Sequence, residues 1–269
     1  MRKRTRTISI ASGKGGVGKT TLTANLAACL AGHGSEVLVF DGDLGLANVD
    51  IFFGVRPEYT MHDLLRGAKD MNDIITPVMK GVDLVPGGSG IYELAHLNAF
   101  QRRSLIEASL FMNKSYDFML IDSAPGISDG VLHLNSAAEE CLVVITPDPA
   151  SLTDAYAMIK ILNQKYRVNR FSVVCNLVSN NQEGISLFHK FSEVIHRFLF
   201  VGLDLMGVIP ADQALRHATL SQKLIVESQP ESAAATAIEH IAFELEKFAQ
   251  TAPYRGGVAK FWEQAAGLA

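Results

Sequence analysis

The sequence lacks the features that would place it in several large classes of protein. It has three cysteines and one tryptophan among 269 residues, and no two cysteines form a C-x-x-C pair. No apolar run reaches the roughly 18 residues that a membrane-spanning helix needs, and no secretory-type apolar segment follows the basic residues at the start. We therefore expect a protein of a reducing, cytoplasmic compartment that at most lies on the inner face of the cell membrane.

Charge is also scarce. Charged residues make up 19% of the chain and the net charge is −4, a balance that argues against nucleic-acid binding over the whole surface. No sequence-specific nucleic-acid partner is expected. Apolar residues make up 48%, enough for a sizeable core, and the length fits one large α/β domain or two small ones.

Short apolar runs alternate with longer helical stretches over residues 1–250. Strands are predicted at 7–11, 36–41, 82–85, 116–122, 141–146, 171–178 and 205–209. Helices are predicted at 20–31 and near 99–112, 128–139, 151–165, 183–199 and 231–249. Strands that are almost wholly apolar and separated by helices predict a three-layer α/β fold, in which a mostly parallel twisted sheet is covered by helices on both faces.

The segment 251–269 differs from the rest of the chain and is predicted to be a linker followed by a short amphipathic helix. Its apolar residues fall on one face of a helix over 258–269: Val258, Phe261, Trp262, Ala265 and Leu268. Three interpretations stay open at this point. The helix binds membrane lipid, it binds a partner, or it packs back on its own domain.

A phosphate-binding loop follows the first predicted strand. Residues 13–20 fit the pattern G-x-x-x-x-G-K-[ST] and lie between a strand and a helix, which is the context that supports such a match. Glycines let the backbone turn its N–H groups around phosphate oxygens, and the helix adds its positive end. Lys19 is expected to pair with the β- and γ-phosphates, and Thr20 to offer its hydroxyl to Mg²⁺. The expected contacts of Mg²⁺-ATP are Gly13, Lys14, Gly15, Gly16, Val17, Gly18, Lys19, Thr20 and Thr21.

Aspartates end two of the predicted strands that follow. Asp41 and Asp43 close the second strand, and Asp122 closes the strand at 116–122. Carboxylates in such places can hold Mg²⁺-bound water and orient an attacking water molecule. Asp122 is expected to hold Mg²⁺ through water.

Lys14 adds a second lysine inside the loop, and it cannot easily reach its own nucleotide because the loop wraps around that nucleotide. Here the sequence resembles the deviant Walker A family, K-G-G-x-G-K-[ST], which includes MinD, ParA, the arsenite-pump ATPase and the nitrogenase iron protein. The resemblance implies a P-loop NTPase that hydrolyses ATP slowly and forms an ATP-dependent homodimer. In that dimer Lys14 would reach the partner's phosphates.

The same resemblance assigns further residues to the site. It implies that Lys14, Lys19 and Asp43 take part in catalysis, with Asp43 positioning the attacking water. Asp41 would lie near the water shell of the metal, together with Thr20 and Asp122. Asn176, Pro210 and Asp212 would lie beside the adenine, although each also fits an ordinary strand end or helix cap. The segment Ser123-Ala124-Pro125-Gly126 resembles the switch that senses the γ-phosphate.

Several segments resemble the FlhG (FleN) family of flagellar-number regulators within this group. They are 59–65, 89–95, 146–160 and 256–263, while 43–50 resembles the branch that MinD and FlhG share. The resemblance implies ATP-dependent binding of flagellar regulators, such as the GTPase FlhF or a flagellar transcription activator. Many FlhG proteins stimulate FlhF through an N-terminal Asp-Gln-Ala segment, which is not found ahead of the first strand here, so we do not carry that activity over. The switch at 123–126 also departs from the Thr-Gly-Ala-Gly type common in FlhG.

Two other functions compete with flagellar regulation. One is a MinD- or ParA-like ATPase that positions the division site or a cargo on the membrane or nucleoid. The other is a metal or electron carrier, which needs thiolates at a dimer axis. Cys29, Cys141 and Cys175 lie in apolar helix or strand runs instead, so the carrier function is disfavoured.

Overall fold

One twisted sheet of eight strands organises the molecule. The computed structural model describes residues 4–43, 48–88, 98–251 and 256–267. The strands are β1 (Arg6–Ala11), β2 (Val37–Gly42), β3 (Thr76–Met79), β4 (Val82–Val85), β5 (Phe118–Ser123), β6 (Glu140–Ile145), β7 (Arg170–Val178) and β8 (Gly202–Pro210). Their order across the sheet is β3-β4-β2-β5-β1-β6-β7-β8, and β3 runs antiparallel to β4 while every other neighbouring pair is parallel.

Helices cover both faces of this sheet. They are α1 (Lys19–Gly32), α2 (Val49–Phe53), α3 (Met61–Leu65), α4 (Met71–Ile74), α5 (Ala99–Leu110), α6 (Asp129–Ala137), α7 (Pro149–Tyr166), α8 (Asn181–Phe198), α9 (Gln213–Leu220), α10 (Ile225–Ser228), α11 (Ala233–Thr251) and α12 (Gly257–Ala265). Among the helices that the structure describes, none is long and apolar enough to cross a membrane. The predicted three-layer α/β fold is confirmed.

The alternation of side chains along each strand divides the core into two layers. In β2, Val39 faces the layer that contains α1 and α11, whereas Leu38 and Phe40 face the layer that contains α12. Both sets are fully buried, because strands covered on both faces have no solvent side. This double burial is why most of the predicted strands were visible as nearly continuous apolar runs.

The sequence prediction missed β3 and the short helices α2, α3, α4, α9 and α10. Strand β3 has four residues, most of them half-buried, and one of them is Pro77. It lies at the edge of the sheet, where a proline is tolerated because its missing N–H is not needed by a neighbour. Elements of four to eight residues have little or no repeating apolar pattern that could be detected.

The strand order brings the candidate site residues to one edge of the sheet. From β1 the chain moves to one side of the sheet to form β2, and it later moves to the other side to form β6, β7 and β8. The crevice where the order reverses lies at the carboxyl end of β1, which is the usual ligand position in open α/β sheets. The loops after β1, β2, β5, β7 and β8 all reach this edge.

Helix α12 packs on the body of the protein. Phe261 and Trp262 are 1% and 0% exposed, and the ring centroids of Trp262 and Phe40 lie 5.0 Å apart in an edge-on contact. Of the three interpretations of the tail, the structure therefore has the one in which the helix packs on its own domain. Leu268, predicted to share this face, lies outside the described residues.

Candidate functional site

The loop between β1 and α1 has the backbone geometry of an anion cradle. Gly16 and Gly18 adopt positive φ angles of 77° and 95°, a region that only glycine enters at little cost. Gly18 precedes α1, and no side chain among the described residues caps the first N–H groups of that helix. These groups have no acceptor within the helix, so they are available to phosphate oxygens.

Lys19 is a buried cation held at the base of this loop. It is 7% exposed, and its Nζ donates to Ser12 Oγ at 2.9 Å. Ser12 Oγ in turn donates to the carbonyl oxygen of Lys14 at 2.6 Å. Burial lowers the pKa of Lys19, opposed by the charges of Asp122 and Asp43. A bound phosphate would supply the anion that this buried ammonium group needs.

Thr20 and Asp122 meet beside Lys19, as the predicted magnesium site requires. Thr20 Oγ1 donates to Asp122 Oδ2 at 2.7 Å, and Thr23 Oγ1 lies 3.1 Å from Asp122 Oδ1. Burial raises the pKa of Asp122 to about 6, opposed by the hydrogen bond from Thr20 and the charge of Lys19. A divalent cation would favour the ionised carboxylate.

Asp41 makes contacts that the sequence did not indicate. It is 2% exposed, and its carboxylate accepts the backbone N–H groups of Asp43 (3.2 Å), Asn48 (3.0 Å) and Val49 (3.1 Å). Burial raises its pKa to about 7. Asp41 therefore ties the end of β2 to the start of α2, and its place near the metal's water shell stays a prediction. The position of Asp43 as the residue that orients water also stays a prediction.

A cavity of about 530 Å³ opens beside the loop, where the adenosine half of a nucleotide would lie. Its lining includes predicted contacts, namely Gly16, Gly18, Thr21, Asn176 and Asp212. It also includes residues that the sequence did not single out: Leu177, Gln213, Leu215, Arg216, Thr219 and Leu220. Most of these lie on α9. The position of this segment directly after the last strand was the one feature of the sequence that could have indicated them. Pro210 ends β8 just before this cavity.

Asn176 and Asp212 are engaged with protein groups in this cavity wall. Asn176 Nδ2 donates to the carbonyl oxygen of Val17 at 2.7 Å, which ties the end of β7 to the phosphate loop. Asp212 caps α9 by accepting the N–H of Ala214 at 2.7 Å, and its other oxygen accepts the N–H of Ala234. Contacts of either residue with adenine stay predictions.

The segment predicted to sense the γ-phosphate is attached directly to the loop. Ser123 Oγ donates to the carbonyl oxygen of Ile10 at 3.0 Å, and the N–H of Gly126 donates to the carbonyl oxygen of Ser12 at 3.0 Å. The first hydrogen bond joins this segment to β1, and the second joins it to Ser12 beside the phosphate loop.

The residues present fit a magnesium nucleotide. An uncapped helix start, a buried lysine and a threonine–aspartate pair surround one point, and an adenosine-sized cavity adjoins it. Bound Mg²⁺ would neutralise charge on the phosphates. The chain itself would hold the phosphates with the N–H groups of the loop and with Lys19, and Thr20 and Asp122 would hold the ion.

Comparison with known proteins agrees with this site. A model of the ParA family, described as NUBPL iron-transfer P-loop NTPase, matches residues 3–246. The chain belongs to the ParA family. The antiactivator FleN of Pseudomonas aeruginosa is 39% identical over 257 residues, covering 96% of this chain and 92% of that protein. The flagellum site-determining protein YlxH of Helicobacter pylori is 32% identical, covering 88% and 81%.

A solved ParA-family structure matches the fold. The septum site-determining protein MinD from Pyrococcus horikoshii, complexed with Mg-ADP, has a TM-score of 0.72 and 30% identity, covering 91% of this chain and 97% of that one. Its ligand is the class of group that the present site fits. The chain is accordingly an ATPase of the ParA family, and its similarity to flagellar proteins supports the FlhG resemblance.

The iron-transfer description of the family model does not extend to the cysteines of this chain. All three are buried and free, and burial raises the pKa of Cys141 and of Cys175 to about 12. Such thiols are poor sources of the thiolates that bind iron. In the part of the chain that the structure describes, no group of three or more His, Cys, Asp or Glu side chains is placed to hold a metal ion.

Proposed function

We propose that this chain is a dimerisation switch that is driven by ATP and regulates flagellar number or placement. ATP with Mg²⁺ favours a homodimer, the dimer binds flagellar regulators, and slow hydrolysis returns the chain to the monomer. The observation that carries the proposal is a complete phosphate site with an additional lysine, Lys14, in a chain similar over nearly its whole length to FleN. The name antiactivator supports a transcription activator as one partner, and the GTPase FlhF is another candidate.

Mass measurement tests the switch. We expect light scattering to show a monomer with ADP and a doubled mass with ATP for the wild-type chain. Asp43→Ala should hold the doubled mass because hydrolysis is blocked, and Lys14→Ala should stay monomeric with ATP. A mass that ignores the nucleotide would rule out the switch.

Cell biology tests the regulatory half. The wild-type chain, expressed in a Pseudomonas aeruginosa strain without FleN, should restore the normal flagellar count seen by electron microscopy. Lys14→Ala should fail to restore it at equal protein level. Equal restoration by both would show that regulation does not need the switch.

The likeness to MinD favours a second candidate, an ATPase that positions the division site on the membrane. It would use α12 as a lipid anchor, but Phe261 and Trp262 are buried, so binding would require α12 to leave the domain. Vesicle sedimentation with ATP, using the full chain and a chain without 258–269, separates the two. Vesicle binding that is lost with the segment would favour the anchor.

A further inference from the structure

Lys14 lies against a helix of its own subunit in this structure. Its Nζ donates to Asp148 Oδ2 at 2.5 Å, and the two side chains are 43% and 45% exposed. The carboxylate beside it raises the pKa of Lys14, and the ammonium group lowers the pKa of Asp148. Both directions agree with a formed ion pair. Asp154, six residues further along the chain in α7, adds a weaker attraction.

The backbone around the pair is fixed on both sides. A Cβ on Gly13 would overlap the backbone carbonyl group of Asp154, so the start of the phosphate loop packs directly on α7. Asp148 caps that helix, with its Oδ1 accepting the N–H of Ala150 at 2.9 Å, and Pro149 opens the helix. The carboxylate is therefore held in place, and only the side chain of Lys14 is free to move.

We propose that Asp148 is a positioning residue that holds Lys14 on its own subunit and must release it before Lys14 can reach a partner's phosphates. The inference rests on the proposed dimer switch and identifies a contact that opposes dimerisation. Asp148 cannot follow Lys14 across an interface because the cap fixes it to α7. A carboxylate carried to a triphosphate would also be repelled by it. Asp148 lies in the segment 146–160 that resembles FlhG, so the proposal gives that segment a role in restraining Lys14.

The size of the effect follows from the exposure of the pair. Exposed ion pairs change an equilibrium by about 1.4- to 5-fold. A symmetric dimer breaks two such pairs, so the effects multiply. Removing the negative charge of Asp148 should therefore strengthen ATP-dependent dimerisation by about two- to thirty-fold.

The variant that tests this is Asp148→Asn, since asparagine caps a helix as well as aspartate does and changes only the charge. Asp204→Asn is the matched control: Asp204 pairs with Arg170 at 2.7 Å, with similar exposure, at the opposite end of the sheet. Sedimentation with a non-hydrolysable ATP analogue gives the dimer dissociation constant. We expect it to fall for Asp148→Asn and to stay unchanged for Asp204→Asn.

A second measurement reads the pair in the ADP-bound monomer. Acetic anhydride in limiting amount acetylates lysine amines that are not held in an ion pair. Mass spectrometry gives the acetylation rate of Lys14, divided by that of the exposed Lys160 as an internal reference. We expect this ratio to be about two- to five-fold higher in Asp148→Asn than in the wild type. Unchanged labelling would show that the pair is not formed in solution and would overturn the inference. Faster labelling with weaker dimerisation would also overturn it, because Asp148 would then assist the dimer.

The two measurements separate this inference from the proposed function. If the wild-type chain never dimerises with ATP, the proposed dimer switch is wrong, and the role of Asp148 in it is wrong as well. If the wild-type chain dimerises and Asp148→Asn leaves the dissociation constant unchanged, only the role of Asp148 is wrong.

Discussion

Single residues at the phosphate loop hold it in shape by contacting more than one protein group. Ser12 illustrates this, because one hydroxyl accepts from Lys19 Nζ and donates to the carbonyl oxygen of Lys14. Asn176 also holds the loop, because its Nδ2 donates to the carbonyl oxygen of Val17. The protein's own groups thus hold the loop in shape, which reduces the ordering cost of binding.

Gly18 should be difficult to replace in this loop. Its φ is 95°, and a Cβ there would lie 2.5 Å from Asn176 Nδ2. We expect Gly18→Ala to weaken Mg-ADP binding by about tenfold or more, equivalent to ~1.4 kcal/mol, in isothermal titration calorimetry.

Gly34 offers a matched control for that substitution. It also has a φ of 95°, but no atom of the described residues lies within 4 Å of the position that a Cβ would take. Gly34→Ala incurs a similar backbone strain of about 1 kcal/mol and should bind Mg-ADP like the wild type. Equal loss of binding in both variants would mean that strain alone, and not the contact with Asn176, sets the requirement for glycine.

At the scale of elements, α1 and α11 are joined at one end by His33. Its Nε2 and Nδ1 lie 2.7 Å from Glu239 and 3.0 Å from Glu246. The hydrogen bond with Glu239 raises the pKa of His33 above its usual value of about 6.5. The pair of carboxylates therefore stabilises the charged imidazolium and, through it, the packing of the two helices.

This contact predicts a pH-dependent stability. A raised pKa contributes stability that is fully present below about pH 6.5 and is lost as the pH rises through the folded-state value. We expect His33→Gln to cost up to about 1 kcal/mol at pH 6 and less at pH 8.5 in urea unfolding. Gln182→Ala, at an exposed position on α8 that does not titrate, should cost the same at both pH values. A cost of His33→Gln that does not change with pH would contradict the prediction.

Helix α12 supplies a second prediction at this scale. Trp262 is fully buried against Phe40 and Phe261, and truncating such a side chain costs about 3–5 kcal/mol. We expect Trp262→Ala to release α12, so that its amides lose protection in hydrogen exchange while those of β1 keep theirs. Glu263→Ala, exposed on the same helix, should leave protection unchanged. Retained protection in Trp262→Ala would show that other contacts hold the helix.

The sequence predicted elements well where burial is continuous. Strands β1, β2 and β5–β8 appeared as apolar runs with ends within a few residues of those observed, because both faces of the sheet are covered. The phosphate loop was predictable because its function depends on adjacent residues. The contact between Lys14 and Asp148 was not, since those residues lie 134 positions apart and meet only when β1 and β6 pair.

At the scale of the whole molecule, the nucleotide site and the C-terminal helix lie on different parts of the sheet. The carboxyl edge carries the phosphate loop, Asp122 and the adenosine cavity. The face of β2 that contains Phe40 packs against α12. The order of these segments along the chain was predictable, but their positions on the sheet follow from the strand order, which the sequence alone did not indicate.

The burial of Trp262 also gives the protein a single optical reporter. It is the only tryptophan in the chain, and within the described residues its indole Nε1 has no hydrogen-bond partner. Nearly all intrinsic emission excited at the red edge of the absorption band therefore comes from one spot, the contact between α12 and β2. A shift of that emission on adding ATP or a partner would locate the change without any label.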